Sequence, residues 1–229
     1  METAQKTIFV TGATGFIGAP TVQGLSQAGF RVIALIRSPQ KKSKIAPWVD
    51  TFVHGDLSST EAITQGVEQA DVVLHLASGL HRPWDGQLHQ INIDGTQRLA
   101  ETCALSSARP HLILVSSLAA RGPTRTTSAT VPISSYGRAK KAAEDVAVSA
   151  YNPKHISIVR PPMVFGPHDP ATKPIFDAIK RGIVPVSPDA SAQFSMIDVR
   201  DLAQGLVQLA ASEPLHPDHP VYFSFQQQL

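Results

Sequence analysis

Tyr136 and Lys140 stand four apart in Tyr136-Gly137-Arg138-Ala139-Lys140, at the start of a helix-like run. Residues at that spacing share a helix face. A free tyrosine, with a pKa of about 10, is a poor base at neutral pH. A neighbouring ammonium favours the phenolate and lowers that pKa. The pair can then exchange a proton with an alcohol or carbonyl oxygen. Upstream, Ser116 and Ser117 follow Val115 at the end of a strand-like run. A hydroxyl there can hydrogen-bond a reacting oxygen and stabilise developing charge.

A second chemistry is written in Thr11-Gly12-Ala13-Thr14-Gly15-Phe16-Ile17-Gly18. This turn joins a strand-like run to a helix-like one, the context in which three spaced glycines mark a dinucleotide site. Gly12 permits the tight turn, Gly15 lets backbone approach a pyrophosphate, and Gly18 permits close packing of helix on strand. The helix N-terminus then offers free N–H groups and partial positive charge to phosphates. A site selective for NAD places an acid at the end of the second strand. Here that position reads Ile36-Arg37-Ser38, with Lys41 and Lys42 close behind. A guanidinium suits a 2′-phosphate, so NADP(H) is expected in preference to NAD(H).

The elements that must position these groups follow a strand–helix rhythm. Strands are predicted at 7–11, 31–36, 51–54, 71–76, 111–116 and 155–160, and helices at 17–28, 87–106 and 135–150. The strands are apolar on both faces, as a parallel sheet covered by helices requires. The expected fold is therefore α/β, a doubly wound parallel sheet of Rossmann type. Two segments interrupt the rhythm: the polar stretch 122–134, and 161–174 with prolines at 161, 162, 167, 170 and 174. Both follow predicted strands, where loops build the site of such a sheet.

The remaining composition narrows the function. A net charge of +2, with Lys41-Lys42-Ser43-Lys44 as its one short basic cluster, argues against nucleic acid. No run approaches the length of a membrane span, and the first residues lack the apolar core of a signal peptide. The single cysteine, Cys103, leads us to expect a cytoplasmic setting and a packing role for that thiol. His81, His89, His216 and His219 lack metal-ligand spacing, so no metal is expected. Trp48 and Trp84 are read as packing residues or pocket walls.

Taken in order, TGATGFIG at 11–18, GDL at 55–57, HLAS at 75–78, NIDGT at 92–96, VSSLAARG at 115–122, YGRAK at 136–140, RPPMVFGP at 160–167 and FSMIDVRDLA at 194–203 span nearly the whole chain. In this combination the sequence resembles the extended branch of the short-chain dehydrogenase/reductase superfamily, the NAD(P)-dependent epimerase/dehydratase type. The resemblance implies that Ser117, Tyr136 and Lys140 are the catalytic set, Ser117 being chosen over Ser116 because it lies five before Gly122. It implies that Asn92 supports the active-site helix or a proton-relay water. Asp56 and Leu57 would meet the adenine, and Leu76, Ala77 and Ser78 the cofactor near its ribose and pyrophosphate. Thr14, Phe16 and Ile17 belong to the phosphate-binding turn. Pro161, Pro162 and Val164 would flank the nicotinamide. Asp201 corresponds to a late helix-opening acid. A homodimer through the two long helices is also implied.

The extended branch usually continues well past the FSMIDVRDLA segment, whereas this chain ends at Leu229 after a strand-like run at 221–225. The expectation is a single NAD(P)-binding domain over 1–229. Residues from about 161 would form a reduced substrate side, and the C-terminal lobe would be shortened or absent. Whether the chain is a fragment, a truncated product or a compact member stays open. The expected activity is oxidoreduction of a small-molecule carbonyl or alcohol substrate. Alternatives are a nucleotide-sugar epimerase or dehydratase, and a cofactor-binding sensor or scaffold without turnover.

Overall fold

A computed structural model describes residues 5–78, 86–122, 131–169, 172–183, 195–213 and 221–224. The first strand, β1 (Thr7–Thr11), is buried at every position. It lies in the interior of a wholly parallel sheet with β2 (Arg31–Ile36), β3 (Thr51–His54), β4 (Val72–His75), β5 (His111–Val115), β6 (Ile156–Arg160) and β9 (Val221–Ser224). The strand order is β3-β2-β1-β4-β5-β6-β9. Predicted strands and observed ones agree to within a residue or so at each end, because runs such as Val32-Ile33-Ala34-Leu35-Ile36 have no polar face to present to water.

Helices cover both faces. On one side α1 (Gly18–Gln27) and α6 (Val199–Ala211) pack together over Ile8, Val10, Val32 and Ile113. On the other, α2 (Thr60–Val67), α3 (Gly86–Leu105) and α4 (Ser135–Ala150) pack over Phe9, Ile33, Leu112 and Ile158. Alternate residues of β1 thus serve two separate cores. Each fully buried aliphatic or aromatic side chain of this kind contributes about 1.5–3 kcal/mol.

Of these helices α2 was not anticipated, and α6 was anticipated only through its opening acid. In α6, Val199, Leu202, Ala203, Leu206 and Ala210 are buried, one stripe at helical spacing. Its opening acid is not Asp201 but Asp198, whose side chain accepts from the Arg200 N–H. Asp201 stands within the first turn, where a carboxylate still favours the helix dipole. The shorter α2 is capped by Ser59, which accepts from the Ala62 N–H. The proline-rich stretch holds a three-residue strand, β7 (Met163–Phe165), paired in parallel with β8 (Met196–Asp198). Pro174 opens α5 (Lys173–Lys180), where its missing N–H costs nothing.

Cys103 is fully buried, and burial pushes its thiol up to about 12, so it packs and does not react. Trp48 packs at the edge of the α1–α6 core. The side chains of His81, His89, His216, His219 and Trp84 and the polar loop at 123–130 lie outside the described residues.

Candidate active site at the carboxyl edge of the sheet

The strand order reverses between β1 and β4. There the chain leaves β1 toward α1 on one face and β4 toward α3 on the other, opening a crevice at the strand ends. The glycine-rich turn occupies it. Gly12 has φ +75°, and a Cβ there would lie 2.6 Å from the Ala77 nitrogen, so the turn lies directly against the end of β4. A Cβ on Gly18 would lie 2.1 Å from the Gly12 carbonyl oxygen. Gly18 therefore lets α1 close onto the turn itself, rather than onto the strand as the motif first suggests. Gly15 is exposed and meets nothing but the Gly12 oxygen. Thr14, Phe16 and Ile17 beside it are half-buried.

Unlike α2, α4 and α6, helix α1 begins without a side-chain cap, and its first turn has no acid. The Ala19 N–H is taken by the Gly15 carbonyl and Pro20 has none, so what this end offers an anion is the backbone at Phe16–Gly18. Nearby, the Ser78 and Ser116 hydroxyls are buried with no hydrogen-bond partner among the described residues. Buried polar atoms of this kind need a partner, and a dinucleotide lying along the crevice would supply one. The open Gly15 face, the uncapped helix and the two orphaned hydroxyls fit such a cofactor.

The catalytic candidates converge beside it. Ser117 lies in the turn after β5, where its Oγ accepts from the Ala119 N–H. Ser134 caps α4 by accepting from the Gly137 N–H at 2.9 Å. A Cβ on Gly137 would lie 2.4 Å from the Ala119 oxygen, so glycine lets α4 approach the Ser117 turn. That approach brings the Ser117 hydroxyl near enough to the Tyr136 phenol to influence its ionisation. The effect on the phenol differs from the expectation. Burial raises the Tyr136 pKa above the ordinary value, and the nearby Ser117 hydroxyl only partly opposes it. Lys140 does not enter that balance: its Nζ is buried and donates to the Val115 carbonyl at 2.8 Å. Burial lowers the Lys140 ammonium to about 8, against the charge of Glu144.

Glu144 continues the helix face one turn beyond Lys140 and is 1% exposed. Arg160, at the end of β6, meets it with both arms: Nε to Oε1 at 2.9 Å and a terminal nitrogen to Oε2 at 2.5 Å. Arg160 leads into Pro161 and Pro162, both buried. The Pro161 carbonyl accepts from the Leu118 N–H at 2.8 Å, tying this segment to the Ser117 turn. Val164 is half-buried in β7. Sequence reasoning did not single out Glu144 and Arg160, although a glutamate four beyond Lys140 was there to be read.

At the other end of the crevice, Arg37 and Asp56 are exposed beside one another. The Asp56 carboxyl is held below its usual range, chiefly by hydrogen bonds from Ser58 and further by the charges of Arg37 and Arg98. Leu57 packs against Gly95 of α3, and its carbonyl accepts from Arg98 at 2.6 Å. Lys42 is occupied elsewhere, its ammonium 4.6 Å from the centre of the Phe52 ring. That leaves Arg37 and Lys41 of the three cations read as facing a 2′-phosphate.

His75, Thr11 and Thr96 were also missed. Thr11 Oγ1 lies 2.6 Å from His75 Nδ1, and His75 Nε2 lies 3.0 Å from Thr96 Oγ1. Thr96 in turn donates to the carbonyl of Asn92 at 2.8 Å. The signal was an imidazole in the otherwise apolar run Val72-Val73-Leu74-His75-Leu76.

Comparison with known proteins matches the same architecture. Residues 8–220 match the model of the NAD dependent epimerase/dehydratase family. The ceramide reductase of Caulobacter vibrioides is 36% identical over 209 residues, covering 89% of this chain and 61% of that protein. The solved structure of DesIV, a dTDP-glucose 4,6-dehydratase from Streptomyces venezuelae with NAD and TYD bound, superposes with a TM-score of 0.76 at 20% identity. It covers 95% of this chain and 75% of that one. A UDP-N-acetylglucosamine 4-epimerase from Bacillus cereus gives a TM-score of 0.75 at 20% identity, over 96% and 75% of the two chains. At that identity the two structures share the fold. The chain spans a little over three fifths of the length of the curated relatives that match most of it.

Proposed function

This chain belongs to the NAD dependent epimerase/dehydratase family, and from that premise we propose that it is an NADP-preferring oxidoreductase acting on a carbonyl or alcohol. The observation that carries the reading is the convergence of the Ser117 turn on the start of α4, which brings Ser117 to Tyr136, with Lys140 one turn further along the same helix. When bound, the nicotinamide supplies or accepts a hydride at its C4. The protein supplies the rest. In the reducing direction Ser117 orients the carbonyl oxygen and stabilises its growing charge, and the Tyr136 phenol delivers the proton. Burial keeps that phenol protonated, which suits it to act as the acid. Lys140 would hold the nicotinamide ribose, and Asn92 the active-site helix or a relay water. Asp56 and Leu57 would receive the adenine, and Leu76, Ala77 and Ser78 the ribose and pyrophosphate. Pro161, Pro162 and Val164 would line the nicotinamide.

The name of the ceramide reductase supports a large apolar carbonyl compound as substrate. Exposed Met163 on β7 and Met196 on β8, just past the proposed nicotinamide wall, support the same class. We place the substrate side in the residues after about 161, within one cofactor-binding domain. The proposed setting is cytoplasmic, and the proposed assembly is a homodimer through α3 and α4. Incubation of the purified chain with NADPH and a panel of long-chain and small ketones tests the reading. Oxidation of NADPH with any member supports it. Tight NADPH binding without turnover of any member would instead make the chain a cofactor-binding sensor.

Two binding predictions follow from the geometry. Arg37→Ala should weaken NADPH by about tenfold or more, the worth of a charged hydrogen bond, and leave NADH nearly unchanged in parallel fluorescence titrations. Equal losses for both cofactors would place Arg37 on the adenine instead. The second concerns pH. Lys140 has its ammonium lowered to about 8, so it is charged below that pH and neutral above it. NADPH affinity should therefore be level near neutrality and fall as pH rises through about 8. Calorimetric titrations across that range would show it, and a level profile would remove Lys140 from the ribose.

A further inference from the structure

We propose that His75 is a positioning residue that locks the cofactor turn to the Asn92 turn of α3, through a neutral imidazole bearing its proton on Nε2. The direction of each hydrogen bond follows from the donors at hand. Thr96 has one hydroxyl proton and donates it to the Asn92 carbonyl at 2.8 Å. Toward His75 it can only accept, so Nε2 must carry a proton. On the other side, Thr11 Oγ1 receives the Ala77 N–H at 3.4 Å and lies 2.6 Å from Nδ1. A bare Nδ1 takes the Thr11 proton and completes one unbroken sequence: Ala77 N–H to Thr11, Thr11 to His75, His75 to Thr96, Thr96 to Asn92.

The surroundings favour the uncharged ring. His75 is 2% exposed. Burial, and then the charge of Lys140, lower its pKa to about 3. The ends of the sequence give the arrangement its meaning. Thr11 is the residue before Gly12, and Ala77 is the backbone against which Gly12 turns. Asn92 sits one turn before Thr96 on α3. His75 thus sets the crevice wall on the β1 side and the wall on the β4 side in a single register. Its bearing on the cofactor rests on the proposed function, whereas the protonation pattern does not.

The test has two arms. In the uniformly 15N-labelled chain, a long-range 1H–15N correlation spectrum distinguishes a protonated ring nitrogen from a bare one. The His75 signals are assigned by their loss in His75→Asn and by their shift in Thr96→Val. We expect Nε2 protonated and Nδ1 bare from neutral pH down to about pH 5, where exposed histidines are already charged. A protonated Nδ1, or a doubly protonated ring, overturns the proposal.

The second arm is NADPH titration. Asn places an acceptor near the Nδ1 position, so His75→Asn keeps the Thr11 bond and should retain affinity. Gln places a donor near the Nε2 position, keeps Thr96 and leaves Thr11 unmatched. His75→Gln should therefore bind NADPH about fivefold more weakly, the worth of one hydrogen bond. Equal losses in the two variants would reduce His75 to packing and overturn the coupling. If the unaltered chain binds no NADPH, the proposed function fails while the ring's protonation remains decided by the spectra.

Discussion

Tyr136→Phe should slow carbonyl reduction by about 10²–10⁴-fold, the usual worth of a positioned proton donor, while NADPH binding changes little. The variant removes one oxygen from a half-buried ring and keeps the ring's packing. It leaves the Ser117 hydroxyl, the Lys140 bond to Val115 and the glycine-rich turn in place. On the proposed mechanism, what disappears is the proton that reaches the substrate oxygen as hydride reaches its carbon. Stopped-flow turnover with the best ketone of the panel, beside an NADPH titration, separates the two effects. A comparable loss of cofactor affinity would make Tyr136 a binding group, and an unchanged rate would assign the proton to another donor. The raised pKa adds a directional expectation. Reduction, which uses the phenol, should proceed at neutral pH, whereas oxidation, which needs a phenolate, should require alkaline conditions.

The second large effect is on stability. Glu144→Leu leaves the Arg160 guanidinium, of which 14% is exposed, without the carboxylate it grips with both arms. Breaking a buried pair from one side costs about 3–5 kcal/mol, because the stranded charge cannot reach water. For a chain of this size each kcal/mol lowers the midpoint by about 2–4 °C, so a fall of roughly 10–15 °C is expected by differential scanning fluorimetry. The double variant Glu144→Leu with Arg160→Met removes both charges and should regain most of that loss. A single-variant shift of only a degree or two would mean that water reaches the pair. The same pair joins α4, which carries Tyr136 and Lys140, to the strand that leads into Pro161. Loss of stability and loss of site geometry are therefore expected together.

Much of this protein was written in local sequence. Strand positions followed from runs such as His111-Leu112-Ile113-Leu114-Val115, whose side chains are buried on both faces and admit no other placement. The glycine-rich turn was legible because its function depends on missing side chains, a property visible in one dimension. Tyr136 and Lys140 were legible because helical spacing alone puts them on one face. For α2, by contrast, the helix was not recognised, and α6 was expected only through its opening acid, although the buried stripe from Val199 to Ala210 was present in the sequence.

What local sequence could not supply were the quantities set by burial and by partners distant along the chain. Spacing suggested that Lys140 would draw the Tyr136 pKa down. Only packing revealed that the ammonium turns to the Val115 carbonyl and that burial pushes the phenol up. Three basic residues near the second strand looked equivalent until folding laid Lys42 over Phe52. His75 meets a residue 64 positions earlier and another 21 later, and Glu144 meets one 16 later. Residue type and spacing by themselves determined the layered α/β sheet, the glycine-rich turn and the helix that carries Tyr136 and Lys140, since each depends on neighbours along the chain. The tertiary structure decided which charges are shielded, which protons have acceptors and which helix faces meet. Those depend on desolvation and on contacts that exist only once the sheet has brought distant strand ends together.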